Sequence, residues 1–179
     1  MDLYLVRHGR PLVDVARPAH EWHLDPAYDD DVRALRARLP TTAVWYSSPE
    51  PKAFLTARLL TDEPIEVVPD LREHERHTTD WLDDFAAVVR RSFDHPDVPA
   101  YDGWEPLDVT RARVVRAAAA ILDRHPHDEV VLVGHGTAWT LLRAALSGEP
   151  PDLAWWAALA LPDACRCEVP GQPGAMLAP

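Results

Sequence analysis

Two short apolar runs constrain this chain most: Leu3 to Val6 and Glu129 to Val133 each break off at a histidine beside glycine, Arg7-His8-Gly9 after the first and Gly134-His135-Gly136 after the second. Runs of four or five residues, rich in Val and Leu and closed by turn residues, read as buried strands. Strands that are apolar on both faces need helices on both sides, and helical spacing fills much of the chain between them. The expected fold is therefore a three-layer α/β/α sandwich around a mainly parallel sheet. In such sheets ligands sit at the carboxyl ends of the strands, where both histidines fall.

The intervening segments fit that plan. Residues 11 to 28 hold prolines and aromatics without a period and read as a long loop. A short helix is expected from about Asp30 to Leu39 and a second strand over Ala43 to Tyr46. Ser47-Ser48-Pro49 then supplies a cap and an early proline for a helix reaching about Leu60. Ile65 to Val68 is a third strand candidate, and Asp70 to Asp80 is a polar loop dense in His, Arg and Glu. Helical spacing predicts a helix over Trp81 to Phe93 and a long Ala-rich one over 107 to 124. A further helix should open at Gly136 and end near Leu146, with weak edge strands at Cys165 to Val169 and Ala175 to Leu177. Neither a repeat nor a second domain is visible, so residues 1–179 are expected to form one domain.

Composition narrows the function. A formal net charge of -11 disfavours nucleic acid and anionic membrane surfaces, which select clustered Lys and Arg. A small anionic substrate then requires a local cationic pocket. Cys165 and Cys167 are too few for a disulfide framework or a full zinc site and read as two free thiols. The longest apolar run, Ala154 to Leu161, is too short to span a bilayer, and no basic segment precedes an apolar stretch at the N-terminus. The cytoplasm is the expected compartment, with the protein a monomer or homodimer.

A histidine that follows a strand often only bonds to backbone. Two of them after two strands, one opening a helix whose free N–H groups favour an anion, point to an anion site. With these residues in view the chain resembles the histidine phosphatase superfamily, which includes cofactor-dependent phosphoglycerate mutases and many small phosphatases. LYLVRHG is similar to its first strand and nucleophile turn, YSSPEPKAFLTA to its segment of SSP, a basic residue and TA, DLREHER to its LxE acid loop, and VVLVGHGT to its second histidine. Gly103-Trp104-Glu105 is similar to a fifth, weaker element that precedes the long helix.

The resemblance implies a mixed sheet with one antiparallel strand and neither a metal nor an organic cofactor. It implies His8 as nucleophile, Glu73 as general acid and base, and Arg7, Lys52 and His135 as ligands of the phosphoryl oxygens. Those residue types suit the reaction. A phosphomonoester dianion repels nucleophiles until cations gather its oxygens, and a neutral imidazole keeps a lone pair near pH 7. A carboxylic acid can protonate the departing alcohol once its pKa is raised, and a bound dianion is expected to raise that of Glu73.

The expected activity is hydrolysis of a small phosphorylated metabolite through a phosphohistidine. The known mutases of the family are longer, which disfavours a mutase. Some residues depart from the family pattern. Lys52 replaces an arginine whose planar fork grips two oxygens, Arg10 stands where glutamate is common, and Asp14 would place a negative charge near phosphate. Arg10 pairs with Asp14 or substrate, or lies on the solvated surface. These departures motivate the alternative of a weakly active or inactive relative that binds phosphorylated ligands for regulation. A metal-dependent hydrolase built on His74 and His77 is a third reading. Glu75 competes with Glu73 for the acid role; Trp22, Trp81 and Trp104 are candidate pocket walls, and Trp155 and Trp156 candidate core or interface residues.

Overall fold

The computed structural model describes residues 1–169, so the edge strand expected at Ala175 to Leu177 lies outside the described residues. Five strands form one sheet: β1 (Asp2–Arg7), β2 (Val44–Ser47), β3 (Ile65–Val67), β4 (Val130–Gly134) and β5 (Asp163–Glu168), in the order β3-β2-β4-β1-β5. The first four are parallel, and β5 runs antiparallel along the edge of β1. Helices α1 (Asp29–Ala34), α2 (Pro51–Leu60), α3 (Phe85–Asp94), α4 (Leu107–Arg124), α5 (Gly136–Ser147) and α6 (Leu153–Ala158) complete the described chain.

Strand alternation sorts the core into two layers. Leu3, Leu5, Val130 and Leu132 pack with Val114, Ile121 and Leu122 of α4 and Ala138, Trp139 and Leu142 of α5. Their neighbours Val6, Val131 and Val133 face the other way, onto Val32, Leu35, Ala57 and Leu60. The sheet is thus covered on both faces, as its unbroken apolar strands require. No helix among the described residues is long and apolar enough to cross a membrane.

Two boundaries differ from the sequence reading for local reasons, and one short helix was not expected. The helix expected to reach Leu39 is α-helical only to Ala34 and tightens into a 3-10 turn over Leu35–Arg38. The helix expected from Trp81 begins at Phe85. Asp84 takes the cap position, its carbonyl accepting from Ala87 N at 2.8 Å and Val88 N at 3.1 Å, in keeping with the preference of aspartate for caps over helix interiors. Trp81 and Leu82 are thereby left in the preceding loop. The apolar run after Pro151 holds a short helix, α6, whose Trp155 and Trp156 are half-buried, each against a different core cluster.

The register fixes the site. Arg7 pairs with Gly134 and Ser47 with Val133, so β1, β4 and β2 end level with one another. His8 N then donates to Gly134 O at 2.9 Å and Ser48 N to Val133 O at 2.9 Å. Residues 8, 48 and 135, remote in sequence, become neighbours on one edge.

Candidate active site

The His8 and His135 rings meet edge to face, centroids 5.2 Å apart at 64°. His8 Nδ1 lies 2.7 Å from Gly9 O. A carbonyl only accepts, so Nδ1 carries the proton and Nε2 of the neutral ring keeps its lone pair. Burial, then the neighbouring His135 and Lys52, push the His8 pKa well below its ordinary value, which holds the ring neutral. Gly9 permits the turn: a Cβ there would stand 2.6 Å from Val32 Cγ2, and its N–H donates to Thr56 Oγ1 at 2.9 Å.

His135 is fully buried, and burial lowers its pKa to about 3. Its Nε2 lies 2.7 Å from Ser48 Oγ and 3.3 Å from Glu50 Oε1, while Nδ1 has no hydrogen-bond partner among the described residues. Arg7 donates through Nη1 to Leu159 O at 2.6 Å, and its buried Nε is likewise unpartnered. It lies against Gly136, where a Cβ would come within 3.3 Å of that Nε.

Helix α5 has no side-chain cap of its own. Glu73 supplies it from the loop after β3, with Oε2 accepting from Thr137 N at 3.1 Å and Oε1 from Ala138 N at 3.0 Å and His74 N at 3.0 Å. Burial alone would raise this carboxyl, but His135, the Arg76 guanidinium and the backbone donors outweigh it and hold the pKa at about 2. Without a bound anion, then, Glu73 is held as a carboxylate, far from the raised state expected beside a dianion. Glu75 turns elsewhere and pairs with Arg72 and, at 3.3 Å, with His77.

Lys52 is present as expected but engaged. Its Nζ donates to Ala19 O at 2.6 Å and to the Glu50 carboxylate. Glu50 also accepts from Glu73 N at 2.7 Å, so one buried carboxylate touches Lys52, His135 and the acid loop together. Sequence reading passed over it, although it lies inside the quoted SSP segment. Asp14, expected to oppose phosphate, does not line the cavity. Its side chain accepts from Ala16 N at 3.0 Å and pairs with Arg17 at 3.6 Å. Arg10 is exposed, its guanidinium 4.6 Å from the centre of the Tyr28 ring.

Two further residues were missed. Arg113 of α4 clamps the acid loop, donating to Arg72 O at 2.7 Å, Glu73 O at 2.6 Å and the Glu105 carboxylate at 2.6 Å. The Gly103-Trp104-Glu105 string was the available signal for that clamp. Arg76 lies over Trp104 at 4.5 Å and Phe85 at 4.9 Å, and its buried Nε has no partner. A cavity of about 910 Å³ joins Arg7, His8, Lys52, Glu73, Arg76 and His135, lined also by Trp22, Trp81 and Trp104.

The histidine-rich loop does not assemble ligands. His74 Nε2 lies 2.7 Å from Glu105 O, its ring is edge-on to Trp104 at 5.3 Å, and His77 is exposed. Among the described residues no group of three or more His, Cys, Asp or Glu side chains is arranged to hold a metal ion.

The sequence model of the histidine phosphatase superfamily (branch 1) matches residues 3–176. The chain belongs to the histidine phosphatase superfamily. Solved structures agree on the fold. YhfR of Bacillus stearothermophilus is 26% identical with a TM-score of 0.76, over 96% of this chain and 92% of that one. A mycobacterial glucosyl-3-phosphoglycerate phosphatase is 23% identical with a TM-score of 0.69, over 89% and 84%. A phosphoglycerate mutase of Thermus thermophilus is 24% identical with a TM-score of 0.63, over 85% and 88%. None of the curated proteins matches. Membership in this superfamily, with phosphatases and mutases as structural neighbours, supports an enzyme.

Proposed function

We propose that this chain hydrolyses a small phosphomonoester through a phosphohistidine on His8. The observation that carries the reading is a neutral His8, its Nε2 lone pair free, at a cavity where the donors Arg7 Nε and Arg76 Nε are buried without partners. A phosphoryl group brings several acceptor oxygens to such donors. His8 Nε2 attacks phosphorus, and the bond to the alcohol oxygen breaks. Arg7, His135 and Lys52 hold the phosphoryl oxygens.

The proton for the alcohol arrives with the substrate. A carboxyl held near 2 brings none of its own, whereas a phosphomonoester is partly a monoanion at mildly acidic pH, its second ionisation lying near 6. Glu73 accepts that proton and passes it to the departing oxygen. As the carboxylate again, it takes a proton from water, the resulting hydroxide attacks phosphorus, the P–N bond breaks, His8 returns neutral, and Glu73 gives its proton to the inorganic phosphate formed. No metal enters either step.

The test is turnover of p-nitrophenyl phosphate with and without a chelator, in the wild type and His8→Ala, with acid-quench mass spectrometry for a phosphorylated histidine. Turnover that survives chelation and collapses at least a thousandfold in His8→Ala supports the reading, in keeping with the loss of a covalent nucleophile. Undiminished turnover in His8→Ala rejects the nucleophile. The Glu50 carboxylate on Lys52 favours a second reading, a relative that binds phosphorylated ligands with little turnover. Binding of phosphomonoesters without hydrolysis of any of them would select it.

A further inference from the structure

The cavity is far larger than a phosphoryl group. At about 910 Å³ it has the size at which pockets enclose drug-sized ligands, so most of its wall must meet the alcohol portion of the substrate.

Charge limits what that portion can be. In the inner site the cations Arg7, Lys52 and Arg76 face the carboxylates Glu50 and Glu73, which leaves an excess of one positive charge while both histidines are neutral. The phosphomonoester monoanion of the proposed reaction already cancels that excess. The outer arginines offer no relief, because Arg17 pairs with Asp14 at 3.6 Å and Glu21 at 3.5 Å, and Arg72 pairs with Glu75 and, at 3.2 Å, with Asp70. A second anionic group would therefore enter the cavity without a cation to meet it.

Part of the remaining wall is apolar and aromatic, with Thr78, Thr79 and the carboxylate of Asp80 also on the lining. Trp81 is 66% exposed and Phe85 40% exposed, both on the cavity lining, with Trp22, Leu82 and Val15 beside them in the same lining. Two large aromatic surfaces left open to solvent beside a reaction centre suit a ring that covers them.

We infer that the substrate is a monophosphate of an uncharged, ring-bearing alcohol packed against Trp81 and Phe85, and that phosphorylated carboxylic acids are selected against. The inference rests on the phosphatase reading and adds the substrate class to it.

The test compares kcat/KM for 2-phenylethyl phosphate, propyl phosphate and 3-phosphoglycerate, with p-nitrophenyl phosphate as the reference for activity itself. Phenylethyl and propyl alcohols leave with similar difficulty, so their difference reports recognition. The expected order is phenylethyl above propyl by about tenfold or more, with 3-phosphoglycerate lowest. Trp81→Ala, at a site too exposed to matter for folding, should bring the phenylethyl-to-propyl ratio down toward one. A wild-type ratio near one alongside turnover of p-nitrophenyl phosphate overturns this inference and leaves the phosphatase reading standing. So does a wild type that favours 3-phosphoglycerate, or a preference untouched by Trp81→Ala. Absence of turnover on all four overturns the phosphatase reading, and this one with it.

Discussion

Glu50 and Lys52 form an ion pair at the bottom of the site, their side chains only 7% and 6% exposed. The pair offsets the charge that Lys52 brings to the phosphoryl oxygens in the proposed reaction, and it sets a negative charge beside His135. Glu50→Gln keeps an acceptor for Glu73 N and removes that charge. Two opposite effects follow. Leaving Lys52 buried without its counter-ion should cost about 3–5 kcal/mol and lower Tm by roughly 10 °C. Freed toward the cavity, the same ammonium should tighten competitive inhibition by inorganic phosphate or vanadate about tenfold. A falling Tm with an unchanged inhibition constant would show that Glu50 does not oppose the phosphoryl group.

Arg76 is held by ring faces, with no carboxylate within ion-pair distance among the described residues, so its charge acts on the cavity and on Glu73. Arg76→Met should lower kcat/KM by roughly ten- to a hundredfold, about 1.4 to 3 kcal/mol of transition-state stabilisation. The Glu73 carboxyl, losing a cation that holds it down, should titrate at higher pH in the variant, which carboxylate NMR can follow. Arg76→Lys should recover little, since an ammonium does not lie flat on Trp104 and Phe85 as a guanidinium does. Recovery to wild-type activity in that variant would count against the stacked geometry.

The parts of this molecule legible in its sequence are those governed by local pattern. Unbroken apolar runs called for a sheet covered on both faces, and the strings around His8 and His135 marked where β1 and β4 stop. Trp81 illustrates the first kind of miss: helical spacing included it, but Asp83 and Asp84 favour the cap and set the helix start after them. Glu50 illustrates the second. Nothing local distinguishes a surface glutamate from one that reaches Lys52, His135 and the Glu73 amide, because those partners meet only through the register of three parallel strands. Asp14 differs for a local reason, since its carboxylate accepts from Ala16 N and pairs with Arg17 and does not line the cavity.

Gly134 ends β4 under a fixed indole. A Cβ there would stand 2.5 Å from Trp139 Cζ2, and the ring cannot easily retreat because Trp139 Nε1 donates to Val6 O at 2.8 Å and is buried in the main core. Gly134→Ala should cost about 1–3 kcal/mol and lower Tm by several degrees. It should also reduce activity more than that loss of folded protein explains, because the next residue is His135. Full activity in folded Gly134→Ala would show that the β4 terminus can shift without moving the ring.

Acid stability should reveal the buried titrating groups in two stages. Above about pH 6.5 both histidines are neutral whether the chain is folded or not, so they contribute no pH dependence. As the pH falls below that value, the unfolded chain takes up protons that buried His8 and His135 refuse, His135 down to about 3, and stability declines. Glu73 adds a second stage. Unfolded, it would protonate near its ordinary 4.5, whereas in the fold it stays ionised to about 2, so its contribution is complete above 4.5 and disappears between those values. That contribution has a ceiling of about 3 kcal/mol. Melting curves should therefore give a Tm that is level from pH 8 to 7, declines below about 6.5, and steepens below about 4.5. Glu73→Gln should remove the steep part and leave the shallow one. A Tm that holds steady down to pH 4 in the wild type would contradict the neutral, desolvated state of the two histidines on which the proposed attack by His8 depends.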